Sequence, residues 1–500
     1  MRRALALLTA VLAGCPAPGD TAAPAPGPLD LRPLTVDDHR IVDDLGREVL
    51  LRGANVTSLG EYWQGNPDLA PTLPTTEEDW AAMEARGLDV VRLVVHWSRL
   101  EPARGALDEA YLDEIAAYAD AAAAHGIYTV LDMHQDAFSA HTATPSDEAC
   151  PEGTSPAKGW DGAPAWATLT DGLSTCVTGD RNSAPAVTAA WNHFYDDDEG
   201  IRTRFVATWG ALAARFAGQP HVAGFDLLNE PDTARPAAEL TPVYEALLTE
   251  VIAAIRGAGA DQLIFLEPAI PAGHREYGLV FPEPARMGVE DAGLVVAAHN
   301  YAESIDTTGL SLEATNALLW ALAEAQDAGV WIGEYGFWST SPEVLAVASR
   351  YAADEDAHAQ GGAWWQWRQP CGDPHSLQPG DGAWVPSDTV VHLNTLDCVT
   401  GQDVGPTEPF LQLLGRGYPR AVPGRIRELE SDPASGRLRL EAEAEEAGGT
   451  VVLWTPTAAD AGEVWSEGLA GVEEQPHGLG RLVTATVAAA GPWALGVEPR

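Results

Sequence analysis

Two glutamates lie in short motifs that suit paired carboxylate chemistry. Glu230 lies within an Asn-Glu-Pro motif and Glu334 within a Gly-Glu-Tyr motif. Cleavage of a glycosidic bond with retention of configuration needs two carboxyl groups about 5 Å apart, one protonated and one ionised. We therefore predict that Glu230 is a general acid/base and Glu334 a nucleophile, provided that the fold brings them together.

The acid and the nucleophile need different electrostatic surroundings. A general acid needs a raised pKa, which partial burial and a nearby negative charge supply. The nucleophile needs a cation or hydrogen-bond donors to stay ionised, and Arg92, in an apolar run over residues 90–95, is the candidate for this task. A buried Arg is costly unless it is paired, so a purely structural salt bridge is the alternative role of Arg92.

Further polar side chains end the predicted strands and are candidates for binding sugar hydroxyls or orienting the glutamates: His134, Asp136, His299 and Tyr301. Each alone is also typical of a core residue, but together on one rim they indicate a site. Alternation places Trp365 and Trp367 on one face, and we expect Trp365 to offer the platform on which a sugar ring stacks. Glu267 is a weaker candidate, because its Glu-Pro pair also suits a strand end.

The elements that must position these residues alternate between short apolar runs and longer amphipathic stretches from residue 48 to about 416. Apolar strands separated by helices predict a parallel sheet, and eight such units predict closure into a (β/α)8 TIM barrel of the α/β class. A doubly wound sheet is the alternative, but no Gly-rich phosphate turn follows the first strand. The predicted strands are 49–56, 90–97, 128–134, 223–229, 263–270, 294–301, 330–335 and 362–367.

Changes in composition divide the chain into four predicted parts. These are a lipoprotein signal peptide (1–15), a Pro/Ala-rich linker (16–34), the (β/α)8 catalytic domain (35–417) and an antiparallel β-sandwich (418–500). Two long insertions, 139–198 and 369–409, interrupt the barrel, and loops of this length on the catalytic face usually shape a binding cleft. The sandwich either holds a lipid near that cleft or caps the barrel structurally.

The N-terminus has the features of an export signal. Two arginines, a short apolar segment and a Leu-Ala-Gly-Cys sequence ending at Cys15 are typical of a bacterial lipobox, whose Cys becomes lipid-modified. An ordinary signal peptide that happens to hold a Cys is the alternative. We expect an exported bacterial lipoprotein, anchored to a membrane or located at the cell surface or outside the cell.

Cysteine spacing predicts two disulfides in the insertions. The chain has five cysteines, and assigning Cys15 to the anchor leaves four. In an exported chain, cysteines flanking two Gly/Pro-rich loops predict the pairs Cys150–Cys176 and Cys371–Cys398, although four cysteines allow three pairings. No Cys-x-x-Cys or His-Glu-x-x-His spacing occurs, so we expect neither a metal site nor a cofactor.

The charge of the chain restricts its partners. The formal net charge is -44 and the sequence pI is about 4.4. This acidity argues against nucleic acid or an anionic membrane face as a partner. A neutral carbohydrate fits better, although acidity also keeps an exported protein soluble.

The sequences around the two glutamates resemble the catalytic motifs of glycoside hydrolase family 5. Residues 227–231 read Leu-Leu-Asn-Glu-Pro and residues 332–336 read Ile-Gly-Glu-Tyr-Gly. Within that family the chain most resembles the endoglycoceramidases, through residues 131–136 (Leu-Asp-Met-His-Gln-Asp), 162–168 (Gly-Ala-Pro-Ala-Trp-Ala-Thr) and 418–422 (Tyr-Pro-Arg-Ala-Val). The similarity extends from about residue 35 to the end of the chain.

This resemblance implies a retaining β-glycoside hydrolase that cleaves the linkage between a sugar or oligosaccharide and a lipid such as ceramide. It implies that Asn229 holds the substrate 2-hydroxyl, that Glu230 protonates the leaving oxygen and that Glu334 forms the glycosyl-enzyme intermediate. The chain departs from the endoglycoceramidases in lacking a Lys after the first strand and in placing Asp232 where Trp is common. A polysaccharide endo-β-glucanase or mannanase is one alternative. A non-catalytic surface glycan-binding lipoprotein is another, and the intact glutamate pair with Arg92 counts against it.

Overall fold

The computed structural model of the chain describes residues 27, 29–232, 235–269, 280–305, 309–380, 383–388, 391–457 and 462–499. The predicted signal peptide with Cys15, and most of the predicted linker, lie outside the described residues. Within these ranges, every helix is too short or too polar to cross a bilayer.

The described chain begins with three short antiparallel strands, followed by the strands of a closed barrel. The first three are β1 (Leu34–Asp37), β2 (Arg40–Asp43) and β3 (Arg47–Glu48). The eight barrel strands are β4 (Arg52–Val56), β5 (Val90–Val95), β6 (Tyr128–Met133), β7 (Val222–Asp226), β8 (Leu263–Leu266), β9 (Leu294–His299), β10 (Gly329–Tyr335) and β11 (Gly362–Trp364). They pair in parallel in chain order, and β11 closes the ring on β4. The predicted TIM barrel is confirmed.

Side chains along the barrel strands alternate between the interior and the helix layer. In β5, Val90 joins the interior apolar cluster, whereas Val91 and Leu93 join the cluster packed against the helices. Arg92 therefore points into the barrel, as the sequence pattern predicted, and its guanidinium lies among side chains from other strands.

The strands end earlier at the catalytic rim than the apolar runs predicted. β7 ends at Asp226, β8 at Leu266 and β11 at Trp364, so Glu230 and Trp365 lie in the segments that follow. The polar residues beyond these ends bond to one another across the mouth of the barrel instead of extending the parallel ladder. Ile270, the predicted end of the fifth strand, lies outside the described residues.

Helices cover the outside of the barrel and begin at capping residues. Asp108 accepts hydrogen bonds from two backbone amides of the first turn of the third helix, and Ser341 with Pro342 begins the ninth. The helices are α1 (Glu77–Glu84), α2 (Trp97–Leu100), α3 (Glu109–Ala124), α4 (Pro185–Tyr195), α5 (Ile201–Phe216), α6 (Ala237–Gly257), α7 (Pro284–Met287), α8 (Leu312–Gln326), α9 (Pro342–Ala357) and α10 (Glu408–Leu414).

Both insertions are closed by disulfides at the catalytic rim. The structure joins Cys150 to Cys176 in the first insertion and Cys371 to Cys398 in the second, which is the pairing that the sequence favoured. The second insertion contains two hairpins, formed by β12 (Leu377–Pro379) with β13 (Trp384–Pro386) and by β14 (Asn394–Asp397) with β15 (Gln402–Pro406).

The C-terminal region forms two antiparallel sheets that share an apolar core. Their strands are β16 (Tyr418–Pro423), β17 (Arg425–Ser431), β18 (Leu438–Ala444), β19 (Thr450–Pro456), β20 (Glu463–Glu467), β21 (Leu469–His477), β22 (Gly480–Val487) and β23 (Gly491–Glu498). One sheet has the order β17-β18-β23-β20, and the other has the order β1-β2-β3-β16-β19-β22-β21. The N-terminal strands, which the sequence pattern grouped with the barrel, thus complete a sheet of the sandwich through the pairing of Glu48 with Val422.

The sandwich packs at the N-terminal ends of the barrel strands. The hydroxyl of Tyr418 donates to the carbonyl of Gly87 at 2.6 Å, and Arg420 donates to the carbonyl of Gly126 at 2.6 Å. These glycines precede β5 and β6, on the opposite side of the barrel from Glu230. Of the two roles considered for the sandwich, the structure therefore favours the structural cap over a lipid-holding surface beside the cleft.

Candidate active site

Glu334, in β10, is surrounded by hydrogen-bond donors. Its Oε1 accepts from Nη1 of Arg92 at 2.7 Å, and its Oε2 accepts from the hydroxyl of Tyr301 at 2.9 Å. Nδ1 of His299 lies 3.4 Å from the same Oε2. Burial raises the pKa of Glu334, and the positive charges of His299 and Arg92 only partly offset this effect. The carboxylate is thus oriented by fixed donors on both oxygens.

Arg92 does more than hold the predicted nucleophile. Its guanidinium is fully buried. It lies 2.7 to 3.0 Å from carboxylate oxygens of four residues on different barrel strands or just after them: Asp132, Asp226, Glu267 and Glu334. This cluster compensates the desolvation of a buried cation, and truncating one member would leave uncompensated charge. The functional and structural roles considered for Arg92 therefore coincide in one network.

Glu230 lies four residues beyond the end of β7, in an unusual backbone conformation. Its φ is +37°, in the left-handed region that side-chain-bearing residues rarely adopt. Nε2 of Gln135 donates to the carbonyls of Asn229 and Glu230 at 2.7 and 2.9 Å, and Oε2 of Glu267 accepts from the backbone amide of Glu230 at 2.9 Å. These contacts hold the backbone so that the Glu230 side chain points into the mouth of the barrel.

The two predicted catalytic glutamates meet at the centre of the site. One carboxylate oxygen of Glu230, one of Glu334 and one ring nitrogen of His299 all lie within 4.8 Å of one another. This separation agrees with the distance of about 5 Å that a retaining mechanism requires and is shorter than the gap that inverting enzymes leave for a water molecule.

The electrostatic surroundings of Glu230 differ from the sequence-based prediction. Its Oε1 accepts from Nδ1 of His299 at 2.9 Å, and its Oε2 accepts from Nη2 of Arg181 at 2.9 Å. Burial raises the pKa of Glu230, but the bond to His299 and the charges of His299 and Arg181 outweigh burial and lower this pKa to about 2. The prediction of a raised acid pKa is therefore wrong for this arrangement, because two cations face the carboxylate.

His299 itself is held as a cation. Burial lowers its pKa, but the charges of Glu267 and Glu334 and its hydrogen bonds to Glu230 and Glu267 raise it well above its ordinary value. Its Nε2 lies 3.2 Å from Oε1 of Glu267. His299 therefore links three glutamates in the site.

The remaining predicted residues form a polar wall beside the glutamates. Nδ1 of His134 lies 2.6 Å from Asp132, and the ring of Trp365 stacks on His134 with centroids 5.3 Å apart. Burial lowers the pKa of His134, but the charge and hydrogen bond of Asp132 raise it to about 9. Asp136 contacts Arg181 and lies 3.2 Å from Nε2 of His375.

The alternation that grouped Trp365 with Trp367 does not hold. β11 ends at Trp364, so the two-residue period stops before either side chain. Trp365 faces His134 in the site, whereas Nε1 of Trp367 donates to Asp79 of α1 in the outer layer. Trp365 remains the candidate platform, although its own contacts with His134 and His375 leave it almost completely buried.

Several residues of the site were missed or undervalued in the sequence. Arg181 and His375 come from the two insertions, where no periodic pattern indicates which side chains turn towards the barrel. Glu267 contacts Arg92, His299 and the Glu230 backbone, and its position at a strand end was the available signal. The predicted disulfides within the insertions were a signal that these loops are held in place.

Two groups of side chains have metal-like spacing: His134 with Asp136 and Asp161, and Glu230 with His299 and Glu334. In the first group Asp136 already contacts Arg181, and in the second both glutamates already contact His299. A bound cation would have to compete with the protein's own positive charges in each group.

The chain was compared with known families and solved structures. The family model described as cellulase, glycosyl hydrolase family 5, matches residues 42–369. The crystal structure of an endogalactoceramidase is 35% identical, covers 94% of this chain and 100% of its own, and superposes with a TM-score of 0.81. Endo-glycoceramidase II from Rhodococcus sp., in a ganglioside GM3 complex, is 25% identical with a TM-score of 0.70, and the match covers 92% of this chain and 99% of that one.

Curated relatives align over shorter stretches. Endoglycoceramidase I of Rhodococcus hoagii is 29% identical over 288 residues, which are 54% of this chain and 52% of that protein. The endoglycoceramidase of Cyanea nozakii is 29% identical over 220 residues, covering 39% of this chain and 41% of that protein. These alignments thus span about half or less of the length of the curated relatives.

Proposed function

The chain belongs to glycosyl hydrolase family 5, and on that basis we propose that it hydrolyses the β-linkage between a sugar or oligosaccharide and a ceramide-type lipid. One observation carries the proposal. A paired-carboxylate site lies in a barrel-and-sandwich chain that is similar over 94% of its length to an endogalactoceramidase. Glycoside hydrolysis is the chemistry that such a pair performs.

In the proposed reaction Glu334 is the nucleophile. The carboxylate attacks the anomeric carbon as the bond to the leaving oxygen breaks, and a covalent glycosyl-enzyme intermediate forms. Arg92 and Tyr301 each donate to one of its oxygens, so attack proceeds from a fixed position. As the negative charge of Glu334 is lost on attack, the hydrogen bond of Tyr301 becomes available to the ring oxygen of the sugar.

Glu230 is the proposed general acid/base. It gives a proton to the leaving oxygen in the first step and removes a proton from the attacking water in the second. Gln135 and Glu267 fix its backbone, and His299 fixes its Oε1, so that Oε2, which bonds to Arg181, is the oxygen that meets the leaving group.

Four further residues are proposed to bind the sugar. Oδ1 of Asn229 accepts from Arg92 and its Nδ2 donates to the carbonyl of Gln135, which leaves the second amide hydrogen for a 2-hydroxyl. His134 and Asp136 offer charged hydrogen-bonding groups to the other hydroxyls, and Trp365 supplies an apolar ring face beside His134.

Apolar side chains on the loops that follow β9 and β10 suit the lipid. Ile305, in the loop that follows β9, is 60% exposed, and Leu310 further along is 47% exposed. The ring of Trp338, from the loop after β10, lies 5.5 Å from that of Tyr301. Ser304 donates to the carbonyl of Gly336 and so joins the two loops. The loop that carries Ile305 begins at Tyr301, which contacts the nucleophile, and exposed apolar side chains on this loop are compatible with a hydrocarbon chain.

Membrane attachment is a separate proposal. The lipobox-like sequence at Cys15 supports an acylated, exported lipoprotein, which would hold the catalytic site near lipid-borne substrate. Mass spectrometry of the mature protein from the membrane fraction should find acylated Cys15 at its N-terminus. Cys15→Ser should release the protein from the membrane, and a mature N-terminus elsewhere would contradict the proposal.

The substrate proposal is tested by direct competition between substrate classes. Purified protein should cleave a neutral β-linked glycosphingolipid in detergent micelles and release an intact oligosaccharide or sugar, with higher kcat/KM than for any soluble β-glucan or β-mannan. Glu334→Gln, which is isosteric and uncharged, serves as the inactive control. Efficient degradation of a soluble polymer without cleavage of micellar glycolipid would instead support the endoglycanase alternative.

A further inference from the structure

Both carboxylate oxygens of Glu230 are occupied by cations, and only one of these cations faces solvent. His299 bonds to Oε1 and its side chain is 2% exposed, whereas Arg181 bonds to Oε2 and is 28% exposed. The Glu230 side chain is itself 26% exposed. A leaving-group oxygen that reaches Glu230 must therefore approach Oε2 and take the place of Arg181.

Arg181 has other partners that allow it to leave Glu230. The same Nη2 that bonds to Glu230 also contacts Oδ1 of Asp136. The centre of the guanidinium lies 4.8 Å from the ring centroid of Trp160. A short rotation towards Asp136 therefore keeps an ion pair and the aromatic contact, so displacement by substrate does not strand a charge.

Resting on the proposed function, we propose that Arg181 is a positioning residue that releases Glu230 while keeping its contact with Asp136, and thereby changes the proton affinity of the acid/base during turnover. Arg181 bonds to Glu230 when a carboxylate is required. It withdraws to Asp136 when a substrate oxygen occupies its place.

The other charges that face Glu230 do not change in this exchange. His299 from β9 donates to Oε1, Glu267 accepts from the Glu230 amide, and the carboxylate of Glu334 lies across the site. Asp136, from the loop after β6, contacts the same Arg181 nitrogen that bonds to Glu230. Arg92 stays paired with Glu334 and Glu267, and His375 stays beside Asp136. Once Arg181 is displaced, Glu230 keeps its bond to His299 but loses the cation on Oε2, so its proton affinity rises and it takes up a proton from solvent.

The proton balance closes over one turnover. Glu230 gives its proton to the leaving oxygen while the bond from Glu334 to the anomeric carbon forms and the glycosidic bond breaks. Departure of the leaving group frees the place of Arg181, whose return stabilises Glu230 as a carboxylate. That carboxylate takes a proton from water as the water oxygen attacks the anomeric carbon and releases Glu334. The proton returns to solvent, and the net reaction consumes one water molecule.

The test uses an aryl β-glycoside that is activated enough to give a pre-steady-state burst, so that water attack limits kcat. The acid limb of the kcat–pH profile then reports the pKa of Glu230 as base. Arg181→Met and Arg181→Gln should move this limb upwards by about 1 to 3 pH units, because a cation in direct contact is lost. Arg181→Lys should keep the limb within about half a unit of the parent value.

Arg350→Met is the matched control, since Arg350 also bridges two carboxylates, Glu303 and Glu313, but lies on α9 away from the site. The proposal is overturned if the acid limb of the kcat–pH profile stays at the parent position in both Arg181→Met and Arg181→Gln. An equal loss of kcat at every pH in the Met, Gln and Lys variants also overturns it and would indicate a purely structural role. A parent protein that hydrolyses no β-glycoside would contradict the proposed function itself.

Discussion

The hydroxyl of Tyr301 donates to Oε2 of Glu334 across 2.9 Å, although burial raises the pKa of that carboxyl. Tyr301 follows β9, and Glu334 belongs to β10, so the contact joins two neighbouring strand ends. The phenol therefore stabilises the ionised nucleophile at a position where desolvation opposes ionisation.

Replacing Tyr301 with Phe should weaken the nucleophile in a pH-dependent way. A hydrogen bond to a charged group contributes about 1.5 to 3 kcal/mol, so kcat/KM should fall about 10- to 100-fold. The acid limb of kcat/KM should also move to higher pH, because ionised Glu334 loses a donor. Tyr118→Phe, on α3, is the control, and a profile that keeps its shape would argue against the Tyr301 assignment.

Glu334→Gln should abolish turnover on every substrate of the parent. The amide keeps the volume of the side chain but cannot attack the anomeric carbon. Added azide should not restore activity with retained configuration. Steady-state assays alongside Glu250→Gln, on the outer face of α6, check the result, and near-normal activity of the Glu334 variant would reject it as nucleophile.

Glu230→Ala should affect substrates according to their leaving groups. Loss of the acid should slow cleavage of a poor leaving group such as an alkyl lipid by about 10²- to 10⁴-fold. The formation of the glycosyl-enzyme intermediate from activated aryl glycosides should be far less affected, because their departure hardly needs protonation. Burst kinetics on both substrate types measures the difference, and equal losses would be inconsistent with an acid role.

Asp89 should make stability depend on pH. It is buried directly before the first residue of β5, and its Oδ1 accepts a hydrogen bond from the backbone amide of Arg52 at 2.7 Å. Burial raises its pKa to about 6, and the charge of Arg420 and the amide bond only partly offset this rise. The unfolded value is about 3.9, so the stability that this group contributes is complete below pH 4 and lost as the pH rises to 6.

The comparison of parent and Asp89→Asn isolates this effect. Relative to the variant, the parent should lose on the order of 3 kcal/mol of unfolding free energy between pH 4 and pH 7. Denaturant unfolding at both pH values measures the difference, with the exposed Asp113→Asn as control. If the parent gained stability relative to the variant between pH 4 and pH 7, the predicted direction of the pH dependence would be wrong.

The barrel and its two glutamates were predictable because their signals are local. Each strand is a continuous apolar run, and Glu230 and Glu334 lie in compact motifs at strand ends. Arg92 could be assigned to the interior because strand alternation fixes the direction of its side chain.

Residues contributed by the insertions could not be placed in the same way. Arg181 reaches Glu230 because its loop folds back over the barrel, and no periodicity in the sequence encodes that path. The pKa of Glu230 was predicted with the wrong sign mainly because His299, which was expected to bind sugar hydroxyls or orient the glutamates, faces Glu230 as a cation, and the second cation, Arg181, comes from such a loop. The pairing of Glu48 with Val422 was likewise hidden, because it joins opposite ends of the chain.

That pairing imposes an order on folding. Strand β3 is among the first described segments to be synthesised, yet its partner β16 follows the whole barrel. The emerging chain must therefore carry an unpaired strand edge until its last part is available, and contacts so distant in sequence form slowly. Removing the sandwich to obtain a minimal barrel would make that temporary edge permanent and leave a template for aggregation.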